Sequence, residues 1–575
     1  MEWNLKDIYT REEDFLKDKD NLEKQMKKII LFKGKLKSEK EIQECYETMC
    51  EGLEIQEKLS GYAMLQYHLD MANSENIKRY KDIEMLTTKF NEATSFIESE
   101  ISSINEKELI GIIEKTPNFR KTLTDIKKSK KHILTQAEEK LLAKYGEVFG
   151  SFENIYEILT NTEFEFPEVD GNKVTHATFS RLLTSKDSEI RRKAFLSMYS
   201  IYKKHINSIA ETYLAKVKHN TITAKIKNYS ASLEMETNND DSTVSVYNTL
   251  IKAVNNNTKL NHEYLELKKK LLNTTDMHMY DVYVDSLAKV EDDISYNDCQ
   301  EIIKKALKPL GEKYLETIEY AFKNNWIDVL AKPKKMNGAY SLGLHKVHPY
   351  ILTNYTNTTR DVSTVAHELG HTMHSYLANN AQNIINANYT IMVAEVASTV
   401  NEILLSNYLI DNEEDKTKKA SLINSELDTI RATLFRQAMF AEFEKEVHGK
   451  VEENVALSSQ DLNDIYFKLV SKYFGESTII DKEIQYEWAR IPHFYRCFYV
   501  YKYATGITSA IVIAKNILEK GKPYVEKYLH MLSLGGSIGS LELLRMVDVD
   551  LEKEETFNEA FKYFENKIKT LKSLI

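Results

Sequence analysis

The sequence is poor in the residues that interrupt helices. Only 7 Pro and 18 Gly occur in 575 residues, and these two residue types end helices and mark turns. Long, uninterrupted helices are therefore favoured, and the length would allow three or four domains of average size. The hydrophobic fraction of 42% and the charged fraction of 29% are ordinary for a globular protein with a substantial core.

Cysteine and long apolar runs are also scarce. The four cysteines, Cys45, Cys50, Cys299 and Cys497, are scattered and form no C-x-x-C pair, which fits reduced thiols better than a disulfide scaffold. The first residues contain no apolar signal core. No window approaches the roughly 18 apolar residues that span a bilayer. We therefore expect a soluble, cytoplasmic protein with no membrane partner.

Positive charge is in deficit. The formal net charge is −10, whereas nucleic-acid recognition needs clustered Lys and Arg. The one basic cluster, at residues 127–132, is short and is better interpreted as a solvated helix end. Nucleic acid is therefore excluded as a main partner.

One short stretch carries metal-binding chemistry. Residues 367–371 read His-Glu-Leu-Gly-His, and the apolar residues around them recur at helical spacing. Helical residues four apart have Cβ atoms roughly 5–6 Å apart, so His367 and His371 can present two imidazoles to one ion. Glu368 lies about 100° further round the helix, where its carboxylate is suited to taking a proton from water. The alternative is a helix whose polar residues only form hydrogen bonds in the core.

A second helical pattern, beginning near Thr390, supplies two acids. Glu395 and Glu402 are seven residues apart and so lie nearly on one face, where unpaired buried charge would be expensive. Two His and one Glu form a ligand set of zinc hydrolases, and we assign Glu395 as the third ligand. Glu402 is either an acceptor that fixes a ligand imidazole or an ordinary solvated acid. His374 is expected to support the site or the core rather than to bind metal.

Extended patterns precede the metal-binding helix. Residues 337–344 and 349–355 change to strand-like spacing, with Gly and Pro at their edges. They predict a small sheet with an exposed edge, to which an extended peptide could add through main-chain hydrogen bonds. A structural hairpin without ligand contact is the alternative. Alternating apolar residues around Asp170-Gly171 predict a further small hairpin.

An aromatic-rich stretch follows at residues 488–506. Four tyrosines and one histidine occur within residues 493–503, more than packing usually requires. A phenol or an imidazole N–H near the metal could stabilise the oxyanion that forms during peptide hydrolysis. Aromatic packing is the alternative, and we favour it for Tyr495 and Tyr503.

These motifs resemble the thimet-oligopeptidase-like zinc metallopeptidases, and within them the oligoendopeptidase F branch. The resemblance is carried by residues 367–374 and 395–402, extends to residues 3–9 and 175–183, and is densest from about 335 to 545. It implies one Zn²⁺ per chain. The implied metal ligands are His367, His371 and Glu395, with Glu368 as general base.

The same resemblance implies further site residues. In the aromatic stretch, His493 and Tyr501 are the strongest matches to the residues that face the substrate carbonyl, with Tyr499 next. The tyrosine spacing differs between branches of the family, so the choice among them stays open. The segment before the metal helix is implied to contact substrate through Gly338, Ala339 and Tyr340.

The predicted fold is mainly α: a large helical metallopeptidase with a deep cleft and a small β-sheet next to the zinc helix. Residues 1–200 are expected to form an N-terminal helical region with a small hairpin, acting as a lid or cleft wall. Residues 201–575 are expected to form the catalytic metallopeptidase domain.

The predicted function is zinc-dependent endopeptidase activity on internal bonds of short oligopeptides. Two alternatives stay open. A metallocarboxypeptidase would need a cation for the substrate's C-terminal carboxylate, such as Arg490 or Arg496. A non-catalytic, metal-stabilised peptide-binding protein would have no use for Glu368. The sequence does not predict an oligomeric state.

Overall fold

The structure, a computed structural model, describes residues 2–287 and 293–575. The chain divides into two compact units, each assembled from three separate segments. The first unit comprises Met1–Lys131, Glu291–Leu409 and Ala510–Val549. The second comprises His132–Val290, Ile410–Ser509 and Asp550–Ile575. The division predicted near residue 200 stays a prediction; that residue lies within one continuous helix, Ser188–Ile226.

Helices dominate the first half of the chain, as the scarcity of Pro and Gly predicts. Several start with a side-chain cap, such as Ser38, whose hydroxyl and backbone N–H exchange hydrogen bonds with Glu41. The helices up to residue 271 are α1 (Glu12–Ile30), α2 (Glu39–Leu69), α3 (Ser74–Thr94), α4 (Phe96–Ser103), α5 (Glu106–Lys115), α6 (Arg120–Ser129), α7 (Gln136–Ile158), α8 (His176–Leu183), α9 (Ser188–Ile226), α10 (Ser232–Asn239), α11 (Val244–Asn256) and α12 (Thr258–Leu271).

The second half of the chain is also largely helical. Its helices are α13 (Tyr296–Ala306), α14 (Glu312–Lys323), α15 (Thr359–Ala381), α16 (Ile384–Ala387), α17 (Ile391–Asn412), α18 (Lys416–Ile430), α19 (Arg436–Glu452), α20 (Ser459–Phe474), α21 (Tyr501–Lys520), α22 (Lys522–Ser533), α23 (Ser540–Met546) and α24 (Glu554–Leu574). No helix among the described residues is long and apolar enough to cross a membrane. The prediction of a mainly α fold is confirmed.

A small sheet lies beside helix α15 in the first unit. Its strands are β1 (Ile327–Leu330), β2 (Tyr340–Leu342) and β3 (Tyr350–Tyr355). The order is β1-β3-β2, with β1 parallel and β2 antiparallel to β3. Helix α15 packs on β2 and β3. The sequence predicted β2 and β3 but not β1.

The N-terminal helices of the first unit share a core with this sheet. Side chains from α1 to α6 pack in one cluster with Leu344, Tyr350 and Leu352. The indole N–H of Trp3 donates to the Ile351 carbonyl at 2.7 Å. The start of the chain is therefore bound directly to the strand that precedes the metal-binding helix.

The hairpin predicted around Asp170 and Gly171 is reduced to its turn. Both residues have positive φ, 48° and 76°, as a tight two-residue turn requires. Val169 and Asn172 exchange backbone hydrogen bonds of 3.0 and 2.8 Å, but the bridge extends no further. The alternating pattern thus produced a turn without flanking strands.

Candidate metal centre

Helix α15 presents the His-Glu-x-x-His motif. Its N-cap is Thr358, which forms a reciprocal capping pair with Asp361. Val362, Val365 and Leu369 are buried on its inner face. This amphipathic pattern fixes which face of the helix points into the unit, and so fixes the direction of the motif side chains.

The structure brings the three predicted metal ligands together. The Nε2 atoms of His367 and His371 are 3.2 Å apart. Oε2 of Glu395 lies 3.4 Å from Nε2 of His367 and 3.6 Å from Nε2 of His371. A tetrahedral ion with bonds of about 2.0–2.1 Å needs donor atoms about 3.3 Å apart. The three donors fit such an ion, and they form the one cluster among the described residues that could hold a metal.

Gly370 allows the two ligand-bearing helices to meet. A Cβ at this position would lie 2.5 Å from the Ala397 carbonyl oxygen and 2.5 Å from Cα of Ser398, closer than any side chain can be placed. Helix α17 therefore passes directly over the Gly370 backbone. The sequence reasoning missed this role, although a glycine inside a helical pattern often has a packing reason.

Asn401 also joins these helices. Its side chain is fully buried; its amide N–H donates to the Ala366 carbonyl at 3.0 Å, and its Oδ1 accepts from the Tyr314 hydroxyl at 3.0 Å. A buried polar side chain whose donor and acceptor both have hydrogen-bond partners can fix the alignment of the two helices that it joins. The sequence reasoning missed this residue too, because nothing local marks it.

Glu402 lies on the far side of the ligand imidazole. Its Oε1 accepts a hydrogen bond from Nδ1 of His367, and its Oε2 accepts from Ser363 at 3.4 Å. A proton on Nδ1 leaves Nε2 with a free lone pair facing the ligand cluster. Burial lowers the pKa of His367, but the hydrogen bond and charge of Glu402 outweigh it and raise that pKa to about 8.

Glu368 is buried, with 6% of its surface exposed. Its Oε2 has no hydrogen-bond partner among the described residues. Burial raises the pKa of this carboxyl, while the nearby His367 and His371 oppose the rise. The pKa of Glu395 is instead lowered, first by its hydrogen bond with His371. The two carboxyl groups therefore differ in proton affinity.

His374 is a core histidine. It is 1% exposed and stacks on Tyr389 with ring centroids 3.6 Å apart. Burial lowers its pKa to about 3, so the ring is neutral. It does not belong to the cluster of metal-binding donors.

The segment predicted to contact substrate lies at the sheet edge. Gly338 has a φ of 85°, and its carbonyl accepts from the Asn354 amide at 2.8 Å. Ala339 is half-buried. Tyr340, in β2, is also half-buried and forms a 2.8 Å hydrogen bond with Nδ1 of His68 in α2.

The aromatic stretch belongs to the second unit and divides into two sets. His493, Tyr499 and Tyr503 are half-buried, with ring centroids 5.6–6.1 Å apart. The Tyr503 hydroxyl lies 3.4 Å from Nε2 of His493. Tyr501 is fully buried instead, and its hydroxyl donates to Asp240 at 3.0 Å.

The other residues singled out in this stretch, Tyr495, Arg490 and Arg496, have different surroundings. Tyr495 stacks on Tyr156 at 4.5 Å and is buried, in keeping with the packing role expected for it. Arg490 bonds to Glu487 at 3.3 Å, and Arg496 is exposed.

Comparisons with known proteins identify the family of this chain. The family model described as Peptidase family M3 matches residues 181–563, and one described as Oligopeptidase F matches residues 100–166. Oligopeptidase PepF of Bacillus subtilis is 35% identical over 100% of this chain and 87% of its own length. An oligoendopeptidase F homolog of Borreliella burgdorferi is 35% identical over 100% of this chain and 98% of its own.

Solved structures show the same fold. Oligoendopeptidase-F from Enterococcus faecium has a TM-score of 0.74 at 30% identity and covers 98% of this chain and 99% of its own. A crystal structure from Chlamydophila abortus has a TM-score of 0.93 at 31% identity and covers 100% and 98%. With the His-His-Glu cluster and the helical fold, these matches place the chain in peptidase family M3, as a metalloendopeptidase of the oligoendopeptidase F group.

Proposed function

We propose that the protein is a zinc-dependent endopeptidase for short peptides, with Glu368 as general base. One observation carries this proposal: donor atoms of His367, His371 and Glu395 lie 3.2–3.6 Å apart, the spacing that a tetrahedral ion needs. Two imidazoles and one carboxylate suit zinc and leave a fourth position open, as catalytic zinc sites do.

Glu368 is the proton carrier of this proposal. Bound zinc supplies a Lewis acid that polarises the scissile carbonyl and makes water more acidic. Oε2 of Glu368 has no partner of its own, so it can accept a proton from the attacking water and return it to the leaving amine. Burial raises the pKa of this carboxyl, which makes it a stronger proton acceptor than an exposed glutamate.

Glu402 acts through His367. Its hydrogen bond to Nδ1 holds the imidazole in one orientation and one tautomer, with Nε2 as the donor to the ion. Removing the Glu402 carboxylate should weaken metal binding by roughly 10–100-fold. Removing Glu395 should weaken it more, because a proposed ligand is lost.

Side chains of the aromatic stretch would stabilise the oxyanion. A phenol O–H or imidazole N–H can donate to the oxygen that gains charge as water attacks. His493 and Tyr499 are half-buried, which supports this role. The Tyr501 hydroxyl is already bonded to Asp240, so Tyr499 is the stronger candidate, and the role predicted for Tyr501 stays a prediction.

The free edge of β2 would hold the peptide. β2 pairs with β3 on one side. An added peptide strand would form main-chain hydrogen bonds with its other side, and such bonds do not depend on the peptide's side chains. Gly338, Ala339 and Tyr340 lead into this edge. The contact between Tyr340 and His68 would keep the tyrosine ring in one position.

A paired substitution tests the general base. Glu368→Gln should keep zinc and lose at least 10²-fold in kcat, since the amide cannot accept the proton. Asp411→Asn, which changes an exposed acid at the end of α17, serves as the control. Zinc content by elemental analysis and cleavage of a quenched fluorescent peptide, with and without chelator, are the measurements. Normal turnover of Glu368→Gln would refute the assignment.

Product analysis distinguishes endopeptidase from carboxypeptidase action. An acetylated and amidated peptide has no free C-terminal carboxylate, so only an endopeptidase should still cut it. Mass spectrometry of the products should show internal cleavage. Resistance of the blocked peptide, with cleavage of its free form, would favour the carboxypeptidase alternative.

Two tyrosine variants test the oxyanion assignment. Tyr499→Phe should lower kcat roughly 10–10³-fold with zinc content unchanged, because an oxyanion donor is lost. Tyr501→Phe should mainly lower stability, since it removes a buried hydrogen bond to Asp240. The reverse order of kcat losses would return the role to Tyr501.

A further inference from the structure

The turn between His493 and Tyr499 contains a residue in an unfavourable conformation. Backbone hydrogen bonds run from Arg496 N–H to the His493 carbonyl at 2.9 Å and from Tyr499 N–H to the Arg496 carbonyl at 3.1 Å. Phe498 is the third residue of the second turn and has a φ of 50°. A positive φ at that position normally takes Gly or Asn, and it is an outlier for a bulky side chain.

A buried carboxyl group contacts this residue. Oε1 of Glu444, in helix α19, accepts the Phe498 backbone N–H at 3.0 Å. Glu444 is 0% exposed, and its Oε2 has no hydrogen-bond partner among the described residues. A buried carboxyl with one bond is expensive, so its presence needs a reason beyond packing.

The surroundings hold the Phe498 ring in place. It lies 5.5 Å from the Tyr247 ring and 4.5 Å from the His448 ring, measured between centroids. His448 lies on the same helix, one turn after Glu444, and its Nδ1 donates to the Glu444 backbone carbonyl at 2.9 Å. Helix α19 thus contacts both the ring and the N–H of Phe498, and Tyr247 of α11 contacts the ring as well.

The half-buried aromatic residues lie beyond Phe498 in this turn. Phe498 is 1% exposed, whereas Tyr499 is half-buried. The Lys502 ammonium lies 4.6 Å from the Tyr499 ring centroid and is itself paired with Asp240 at 2.6 Å. A change of φ at Phe498 would rotate the chain just before Tyr499 and move its ring away from His493.

We propose that Glu444 is a positioning residue for peptide hydrolysis: its bond to the Phe498 N–H holds the left-handed turn that presents Tyr499 and His493 to substrate. This inference rests on the proposed function. Burial raises the pKa of the Glu444 carboxyl well above its usual value, and Oε1 accepts the Phe498 N–H with or without a proton on the group. An amide would serve equally well.

Two substitutions at Glu444 test the proposal. Glu444→Gln keeps an acceptor for the Phe498 N–H and should keep most of the turnover. Glu444→Met has similar volume and no such acceptor, and kcat should fall at least tenfold while KM stays within about twofold and zinc content is unchanged. The matched control is Glu426→Met, which also removes a buried acid of the second unit, one paired with Lys567 at 2.7 Å. It should lower stability without the loss in kcat.

A measurement independent of activity accompanies these assays. Hydrogen exchange of the peptide covering residues 494–503 should be faster in Glu444→Met than in wild type, and near wild type in Glu444→Gln. If wild-type protein with zinc cleaves no peptide, the proposed function fails, and the exchange result alone decides whether Glu444 holds the turn. Equal kcat for Gln and Met variants, or unchanged exchange in Glu444→Met, would overturn the inference.

Two substitutions at Phe498 test the same turn if Glu444→Met does not fold. Phe498→Gly and Phe498→Val both remove the ring, but only glycine adopts positive φ without strain, and a β-branched residue is the least tolerant. The glycine variant should retain at least fivefold higher kcat than the valine variant at equal zinc content. Equal values would show that the left-handed turn is not needed.

Discussion

At the scale of single residues, Gly370 decides how closely the two ligand-bearing helices approach. Because a Cβ there would overlap the backbone of Ala397 and Ser398, any larger residue must push α17 away from α15. Glu395 lies on α17, so its carboxylate would move away from the two imidazoles. The metal site is therefore sensitive to one position that carries no functional group.

Gly370→Ala should weaken zinc binding by at least tenfold and lower kcat at limiting zinc. The matched control is Gly111→Ala in helix α5, where a Cβ would meet nothing within 4 Å; it should stabilise the protein by about 0.5–1 kcal/mol through helix propensity. Zinc titration with a competing chelator measures the first effect and urea unfolding the second. Unchanged zinc affinity in Gly370→Ala would show that the helices separate without loss of the site.

His448 is expected to make stability depend on pH. Burial lowers its pKa to about 4, below the usual value near 6.5, so the unfolded chain binds more protons between these values. The stability that neutral His448 contributes to the folded state is fully present above pH 6.5 and is lost as pH falls toward 4. Relative to His448→Gln, which does not titrate, wild type should lose about 1.4 kcal/mol per pH unit in this window.

Urea unfolding of both proteins at pH 7.5, 5.5 and 4.5 measures this difference. The free energy of unfolding of wild type minus that of His448→Gln should be smallest at pH 4.5. It should be about 2–3 kcal/mol lower there than at pH 7.5. Parallel curves would mean that His448 titrates equally in both states.

At this scale, the sequence predicted the positions of functional side chains better than the places where two backbones approach each other. That His367 and His371 lie together could be predicted because residues four apart share a helix face, whereas the proximity of Glu395 to them depends on how two helices pack. Gly370 and Asn401 could not be predicted, because their roles depend on which helix packs against them. The buried position of Tyr501 depends on Asp240, which lies 261 residues away, and no local pattern reveals that contact.

At the scale of elements, the sheet beside α15 depends on a buried ion pair. Lys335 Nζ lies 2.6 Å from Asp328 Oδ1, and both side chains are 0% exposed. The ammonium also donates to backbone carbonyls of Leu330 and Thr353, at 2.7 and 2.6 Å. One cation thus joins β1 to β3.

Lys335→Met should destabilise the protein by about 3–5 kcal/mol, since Asp328 would be left as an uncompensated buried charge. The double variant Asp328→Asn/Lys335→Met should recover a large part of that loss, because no charge remains to be compensated. Chemical unfolding of the two single variants and the double variant gives the coupling energy. Additive losses would show that the pair does not act as a unit.

Elements were predicted where their local signals are strong. The apolar periodicity marks α15, and the shift to strand spacing marks β2 and β3. β1 was not predicted because four residues are too few to show an alternating pattern. Its pairing partner, β3, also lies about twenty residues further along the chain. Asp170-Gly171 produced a turn alone, since the flanking residues find no further strand to pair with.

At the scale of the whole molecule, metal and folding should be linked. An ion that binds only the folded chain raises apparent stability by about 2.7 kcal/mol at 100 times its Kd. Zinc should therefore raise the thermal unfolding midpoint, and a chelator should lower it.

The ligand assignment predicts how variants change this shift. Glu395→Ala should abolish most of it, whereas Glu402→Gln should retain a reduced one, because Glu402 acts through the His367 ring. Differential scanning fluorimetry over a zinc series measures both. Equal losses, or the reverse order, would contradict the choice of Glu395 as ligand.

The organisation into units is the feature that sequence reasoning reached least. Composition shows no linker or repeat, and contact between distant segments leaves no local trace. Each unit consists of three segments that alternate along the chain, so no single cut in the sequence separates them.

This alternation has a consequence for biosynthesis. The chain passes between units five times, and the first unit is complete only when Val549 has been made. A ribosome would therefore have released the chain up to Val549 before the first unit could close, and its early helices must wait, partly unpacked, for their later partners. Such a protein should depend on chaperones during synthesis more than one built from consecutive domains.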